Sequence, residues 1–308
     1  MRMTDIPPAL VILLGALLAV LVLSRTAARD EPGVFIGERA FADLEQQVAF
    51  GPRVPDSQGH ADLLDWAQAQ LADADWEVRL HETEIDGLLV KNVIAMRSSD
   101  AQGAEWIVLG AHYDTRLLAD QDPDPAMQAE PVPGANDGAS GVAVLLELAR
   151  SLPRDAGADI WIVLFDAEDG GRIAGQDWSL GSQAFVRDLQ DLASGRRPDL
   201  AVVVDMVGDA DLNIHLEKNS DPNASASIWA KAQALGYEEW FVAQAKYSML
   251  DDHTSFLQAG IPAVLLIDFD YPYWHTVSDT PDKTSAASLK IVGDTLLAWL
   301  VEHGSSKE

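Results

Sequence analysis

Asp166-Ala167-Glu168-Asp169 sets three acids within four residues, directly after an apolar run. Crowded carboxylates raise one another's proton affinity unless a cation is at hand, and a divalent metal relieves the repulsion. Glu168 and Asp169 could then divide the work, one as base and one as ligand; a solvated loop is the plain alternative. His112-Tyr113-Asp114 offers an imidazole with a carboxylate beside it. That is either a metal ligand oriented by an acid behind it or a satisfied histidine at a strand end. Residues 134–141 read Gly-Ala-Asn-Asp-Gly-Ala-Ser-Gly, so Asp137 is either a ligand or the N-cap of the helix that follows. The segment has neither the lysine nor the spacing of a phosphate-binding loop. Asp205 interrupts Val202-Val203-Val204-Asp205-Met206-Val207; a carboxylate in such a run needs a metal, a cation or a hydrogen-bond network. Asp251-Asp252-His253 precedes a helical stretch, where either acid could be a cap. Trp274-His275-Thr276 closes an aromatic loop, and Trp274 could line a pocket wall or simply pack.

The elements around these clusters explain how they could meet. Residues 39–77 have helical character, with an amphipathic stretch over 61–72. Strands are expected at 88–96, 106–110, 160–165, 200–206 and 263–267, and helices at 138–152 and 285–302. The strands are continuous apolar runs bounded by polar loops, a pattern of strands buried on both faces. Alternation with helices gives an α/β fold: a mixed, mostly parallel central sheet flanked by helices in three αβα layers. His112, Glu168, Asp169, Asp205 and His275 each fall at or just beyond the end of one of these strands. Sites of open α/β sheets gather at those carboxyl ends.

Composition narrows the function classes. The 308 residues carry 49 acids against 21 bases, a formal charge of -28. Such a surface repels nucleic acid, so no nucleic-acid partner is expected. There are no cysteines, so any metal must be held by His, Asp and Glu.

Taken in order, residues 111–114, 136–141, Glu168-Asp169, Asp205 and His275-Thr276 resemble the zinc aminopeptidases of the co-catalytic type, a superfamily that includes the glutaminyl-peptide cyclotransferases. The resemblance spans roughly residues 38–303. Three features resemble the cyclotransferase branch: the long loop between Glu168-Asp169 and Trp178, the acid Asp251 before Asp252-His253, and Trp274 directly before His275. Asp169 stands where many relatives carry Glu, residues 275–280 are equally similar to the aminopeptidases, and the cysteine pair of animal cyclotransferases is absent.

On the cyclotransferase side the resemblance implies one Zn2+ held by Asp137, Asp169 and His275. Glu168 shuttles the proton, Asp205 and Asp251 form a carboxylate network for the substrate amine, and Trp274 and Trp178 shape a small pocket. The reaction converts N-terminal glutamine of peptides to pyroglutamate with release of ammonia. On the aminopeptidase side it implies two Zn2+ bridged by Asp137. His275 and Asp169 complete one site, His112 and Asp205 the other, and Glu168 activates water. Either way the partner is a peptide or protein N-terminus. A catalytically inactive, membrane-anchored binding module is the alternative from another class, and the filled chemical positions argue against it.

Residues 6–23 are almost wholly apolar and flanked by Arg2, Arg25 and Arg29. Residues 1–28 are therefore expected to be a membrane anchor or, with Thr26-Ala27-Ala28 as a weak cleavage site, a signal segment. Both place the catalytic domain, residues 38–308, outside the cytoplasm, either membrane-anchored or secreted, after a linker over residues 29–37.

Overall fold

The structure, a computed structural model, describes residues 33–305. Two helices open it, α1 (Gly37–Ala49) and α2 (Gln58–Asp73). The helical stretch expected over 39–77 is thus broken once, by Gly51, Pro52 and Pro55 between them, and it ends at Asp73, short of Glu77, where a strand begins. Next come β1 (Glu77–Ile85), β2 (Leu88–Arg97), β3 (Trp106–His112), α3 (Ala139–Ser151), β4 (Asp159–Phe165), α4 (Leu180–Leu192) and β5 (Leu200–Asp205). They are followed by β6 (Ile214–Leu216), α5 (Pro222–Ala234), β7 (Phe241–Ala245), α6 (Asp252–Gln258), β8 (Ala263–Ile267), a 3-10 turn (Pro281–Lys283) and α7 (Ala286–Ser305).

The main sheet has the order β1-β2-β4-β3-β5-β8. β4, β3, β5 and β8 run parallel, while β2 lies antiparallel to both β1 and β4. The sheet is therefore mixed and mostly parallel, as expected. β6 and β7 form a separate parallel pair. Every residue of β3, β5 and β8 is buried, which is why these strands read as unbroken apolar runs rather than alternating ones.

Alternate side chains serve two cores. Ile107, Leu109, Ala111, Val202, Val204, Val264 and Leu266 face α1, α3 and α7. Trp106, Val108, Val163, Ala201 and Ala263 face Phe185 of α4 and Phe256 of α6. The result is the three-layer αβα arrangement.

Helix α3 is buried along almost its whole length, and small residues let it approach the sheet. A Cβ on Gly141 would fall 2.3 Å from Val204 O. The stretch read as a linker ends inside the fold: Phe35 is buried, and a Cβ on Gly293 of α7 would lie 2.1 Å from its ring. Among the described residues no helix is long and apolar enough to cross a membrane. The anchor or signal expected over residues 1–28 lies outside the described residues.

Candidate metal centre

The order of the strands creates the site. From β3 the chain passes through α3 to β4 on one side of β3, then returns to β5 on the other. The connection leaving β3 leads toward β4 and the one leaving β5 leads toward β8, and this divergence opens a crevice at the carboxyl ends of β3 and β5. His112 is the last residue of β3 and Asp205 the last of β5; Glu168 and Asp169 follow β4, and His275 follows β8. Asp137 precedes α3 but does not cap it: Gly138 is the N-cap, at φ 97°, with no side-chain cap bond. The carboxylate of Asp137 is thereby free to face the crevice. Ala167, Ser179, Met206 and His275 all adopt left-handed backbone, with φ of 50°, 57°, 46° and 54°. Such non-glycine outliers persist only where the surroundings over-determine them, and here they flank the site residues.

Two groups of three donors result, His112–Asp137–Asp205 and Asp137–Asp169–His275, all buried. His112 Nε2 lies 3.1 Å from Asp205 Oδ1 and 3.2 Å from Asp137 Oδ1. His275 Nε2 lies 3.0 Å from Asp169 Oδ1 and 3.6 Å from Asp137 Oδ2. The two oxygens of Asp137 thus point to different imidazoles.

The electrostatics are those of a cation site. Burial pushes the Glu168 carboxyl well above its usual range, and Asp251, Asp252 and Asp169 add to the effect. Burial, with Asp137 beside it, raises Asp169 to about 6, and burial with Asp205 nearby raises Asp251 to about 7. Burial works against protonation of His112, yet Asp205, Asp114 and Asp137 outweigh it and hold its pKa well above the ordinary value. Asp137 Oδ2 and Asp169 Oδ2 are buried without a hydrogen-bond partner. Orphaned carboxylate oxygens converging with imidazole nitrogens, and no thiolate, fit a borderline divalent metal such as zinc.

A second layer holds these donors. Asp114 accepts the backbone N–H of Glu168 (2.9 Å) and of Asp169 (3.1 Å), with its Oδ1 3.5 Å from His112 Nδ1. It therefore holds the β4 loop beside the β3 histidine, whose Nδ1 makes no hydrogen bond. Asp279 accepts the N–H of Asn136 and Asp137 and the hydroxyl of Tyr271. Fully buried Arg53 donates to the carbonyls of Tyr113, Pro133 and Gly134. Arg116 donates to Asp169 O and, bidentately, to Asp120, whose Oδ1 lies 3.3 Å from His275 Nδ1. A carboxylate behind a candidate histidine ligand fixes its ring and raises its basicity. Arg53, Arg116, Asp120 and Asp279 escape a reading of the sequence, because nothing local distinguishes them from surface charges.

These residues surround a cavity of about 220 Å3. Glu168, Asp205 and Asp251 line it, with Trp178, Phe269 and Trp274 among its apolar walls. Trp274 stacks on His275 at 3.7 Å between ring centroids, and Trp178 stacks on it at 6.1 Å. Ser179 Oγ donates to Glu168 Oε1 at 3.0 Å. Asp251 caps α6, with a reciprocal bond to Thr254, and still reaches the cavity; the cap and the site residue are the same side chain. All of Asp137, Asp169 and His275 line this cavity; of the other group Asp137 and Asp205 line it and His112 does not.

Comparison with known proteins agrees with this architecture. The model of peptidase family M28 matches residues 92–300. Aminopeptidase YwaD of Bacillus subtilis (strain 168) is 30% identical over 227 residues, a match spanning 69% of this chain and 44% of that protein. The crystal structure of Porphyromonas gingivalis glutaminyl cyclase is 33% identical, with a TM-score of 0.81 over 88% of this chain and 99% of that one. A Zn-dependent exopeptidase from Parabacteroides distasonis is 30% identical, with a TM-score of 0.80 over 87% and 98%. The chain belongs to peptidase family M28.

Proposed function

We propose that this member of family M28 is a zinc-dependent glutaminyl-peptide cyclotransferase, closing N-terminal glutamine to pyroglutamate with loss of ammonia. The observation that carries the proposal is the asymmetry of the two donor groups: Asp137, Asp169 and His275 all line the cavity, and His112 does not. A donor group lying wholly on the cavity wall suits a single-metal cyclisation, which needs no metal-derived nucleophile; the other group reaches the wall through Asp137 and Asp205 alone. Likeness to a glutaminyl cyclase over most of the chain supports the same reading.

Asp137, Asp169 and His275 would hold a zinc ion, which would supply Lewis acidity toward the side-chain amide of the substrate. Glu168, which lines the cavity beside the Asp137–Asp169–His275 group without belonging to it, takes a proton from the substrate α-amine. The amine attacks the γ-carbonyl carbon, the carbon–nitrogen bond to the amide nitrogen breaks, and Glu168 returns the proton to the departing ammonia. Asp205 and Asp251 share the cavity with Glu168 and hold the ammonium end. Trp178 and Trp274 wall in the side chain, and this confinement matters because an intramolecular attack draws much of its rate from positioning.

A two-metal aminopeptidase is the second reading. It is favoured by the split carboxylate of Asp137, which completes a donor group with His112 and Asp205, and by likeness to an aminopeptidase and an exopeptidase.

The test is mass spectrometry of Gln-initiated and Leu-initiated peptides incubated with the zinc-loaded protein. Loss of ammonia from the former with the latter intact supports cyclisation. Release of free leucine selects hydrolysis instead.

A further inference from the structure

Five of the residues lining the cavity are acids: Asp137, Glu168, Asp169, Asp205 and Asp251. Two lining residues can be cationic, His275 and Arg172. His275 is already engaged with Asp169, Asp137 and Asp120. Arg172 is exposed, and its guanidinium has no hydrogen-bond or ion-pair partner among the described residues. Arg116, by contrast, is buried and committed to Asp120, Asp169 and Gly171.

The position of Arg172 is set by the backbone. It adopts φ 65°, the left-handed region, at a cost of about 1 kcal/mol or more for a residue with a Cβ. The turn is closed by Arg172 N–H to Gln176 O (2.9 Å), Ile173 N–H to Gly170 O (3.1 Å) and Gln176 N–H to Ile173 O (3.0 Å). The neighbouring Gly171 is pressed so closely on Trp178 that a Cβ there would fall 2.0 Å from the indole. Trp178 in turn stacks on His275. A chain of contacts therefore fixes the root of Arg172 relative to the metal centre and leaves its cationic end at the mouth. Leu250, 58% exposed, also lines the cavity and offers only apolar surface.

We propose that Arg172 reads the side chain that follows the substrate's N-terminal residue and selects peptides acidic at that position. The inference rests on the reading that the cavity takes a peptide N-terminus. With the ammonium among Glu168, Asp205 and Asp251, the chain leaves through the mouth and its second residue passes Arg172. A carboxylate there can take two parallel N–H bonds from the guanidinium, whereas a lysine meets like charge. The selection runs against the field of the whole protein, whose charge of -28 disfavours acidic peptides at long range. A fixed cation at the mouth reverses that bias at the point of contact.

The experiment measures kcat/KM for Gln-Glu, Gln-Leu and Gln-Lys peptides, and for the matching Leu-initiated series, with wild type, R172Q, R172E and R172K. In wild type the Glu over Lys ratio is expected at roughly fivefold in low salt, the scale of an exposed charge pair. It should fall to near one in R172Q, invert in R172E and recover in R172K, whose side chain keeps the charge on the same backbone. A ratio unchanged by R172Q overturns the inference while leaving the proposed activity standing. Turnover of neither series by wild type overturns the reading of the site and this inference with it. Turnover of the Leu series alone replaces cyclisation by hydrolysis, and the same ratio then decides the role of Arg172.

Discussion

At the residue scale, the division of labour between Glu168 and the donor groups is testable because Glu168 belongs to neither group. Glu168→Gln keeps the shape and the bond from Ser179 but cannot accept a proton. Turnover is expected to fall by about 10²–10⁴-fold, the usual worth of a positioned acid or base, with zinc content unchanged by metal analysis. Surviving turnover would move the base elsewhere. His112→Ala separates the two functional readings. It strips Asp137 Oδ1 and Asp205 Oδ1 of their imidazole, yet leaves Asp137, Asp169 and His275 in place. A single-metal cyclotransferase should keep close to one zinc and measurable cyclisation; a two-metal hydrolase should lose one of two ions together with its activity. Both substitutions involve residues legible in sequence. Each of the six principal polar positions stands beside a strand end or a glycine-rich turn, so a one-dimensional pattern exposes it. Arg53, Arg116 and Asp279 are not legible, because each acts across 50 or more positions of chain. Their meaning exists only once β3, the Asp137 loop and the β8 loop have met.

At the scale of elements, the parallel strands are readable because burial on both faces leaves long apolar runs. β1 is not. Most of its residues are exposed, with His81 the one buried, and Glu77, Glu82 and Glu84 give it the look of a loop or helix surface. The short pair β6 and β7 goes unseen for a related reason: three to five residues carry too little period to register. What sequence does not give at all is how closely α3 sits on β5, and that contact aligns Asp137 with Asp205. Gly141→Ala tests it. Helix propensity alone favours alanine by about 1 kcal/mol. The new Cβ, however, would meet the Val204 carbonyl at 2.3 Å and the Ala111 Cβ at 3.0 Å, and a backbone oxygen cannot rotate away. Overpacking of this kind costs about 1–3 kcal/mol or more, so the net effect should be a lower melting temperature and weaker zinc binding. An unchanged melting temperature would mean that α3 has room to retreat, and that its distance from the sheet is not what aligns the two carboxylates.

At the scale of the whole molecule, a chain with 49 acids has buried several of them, and the balance of their proton affinities sets how stability depends on pH. Some are held ionised. Burial opposes ionisation of Glu217, but His253 and the N–H groups of Met249 and Asn219 outweigh it and bring its pKa down to about 2. That contribution is complete above the ordinary Glu range and is lost as pH falls toward 2. Others are held protonated, and Asp268 is the informative one because it lies apart from both donor groups. Its oxygens accept the N–H of Asn213 at 2.7 Å and of Asp270 at 3.0 Å. Burial still prevails, with Asp209 and Asp270 adding repulsion, and raises its pKa from 3.8 to about 7. Between those values the folded protein keeps a proton that the unfolded chain has released. Stability must therefore decline as pH rises through this window, and the contribution is gone above about 7. Across the whole window the decline is on the order of 4 kcal/mol. Asp268→Asn cannot titrate. It gives up one accepted hydrogen bond, worth about 1 kcal/mol at any pH, but it removes the slope. Urea unfolding in the presence of a chelator, at about pH 5 and about pH 8, should find the variant gaining on wild type as pH rises, by more than the lost hydrogen bond costs. A constant difference between the two proteins across that range would mean that the two amide donors, rather than burial, govern Asp268, and that this part of the fold holds its charge ionised.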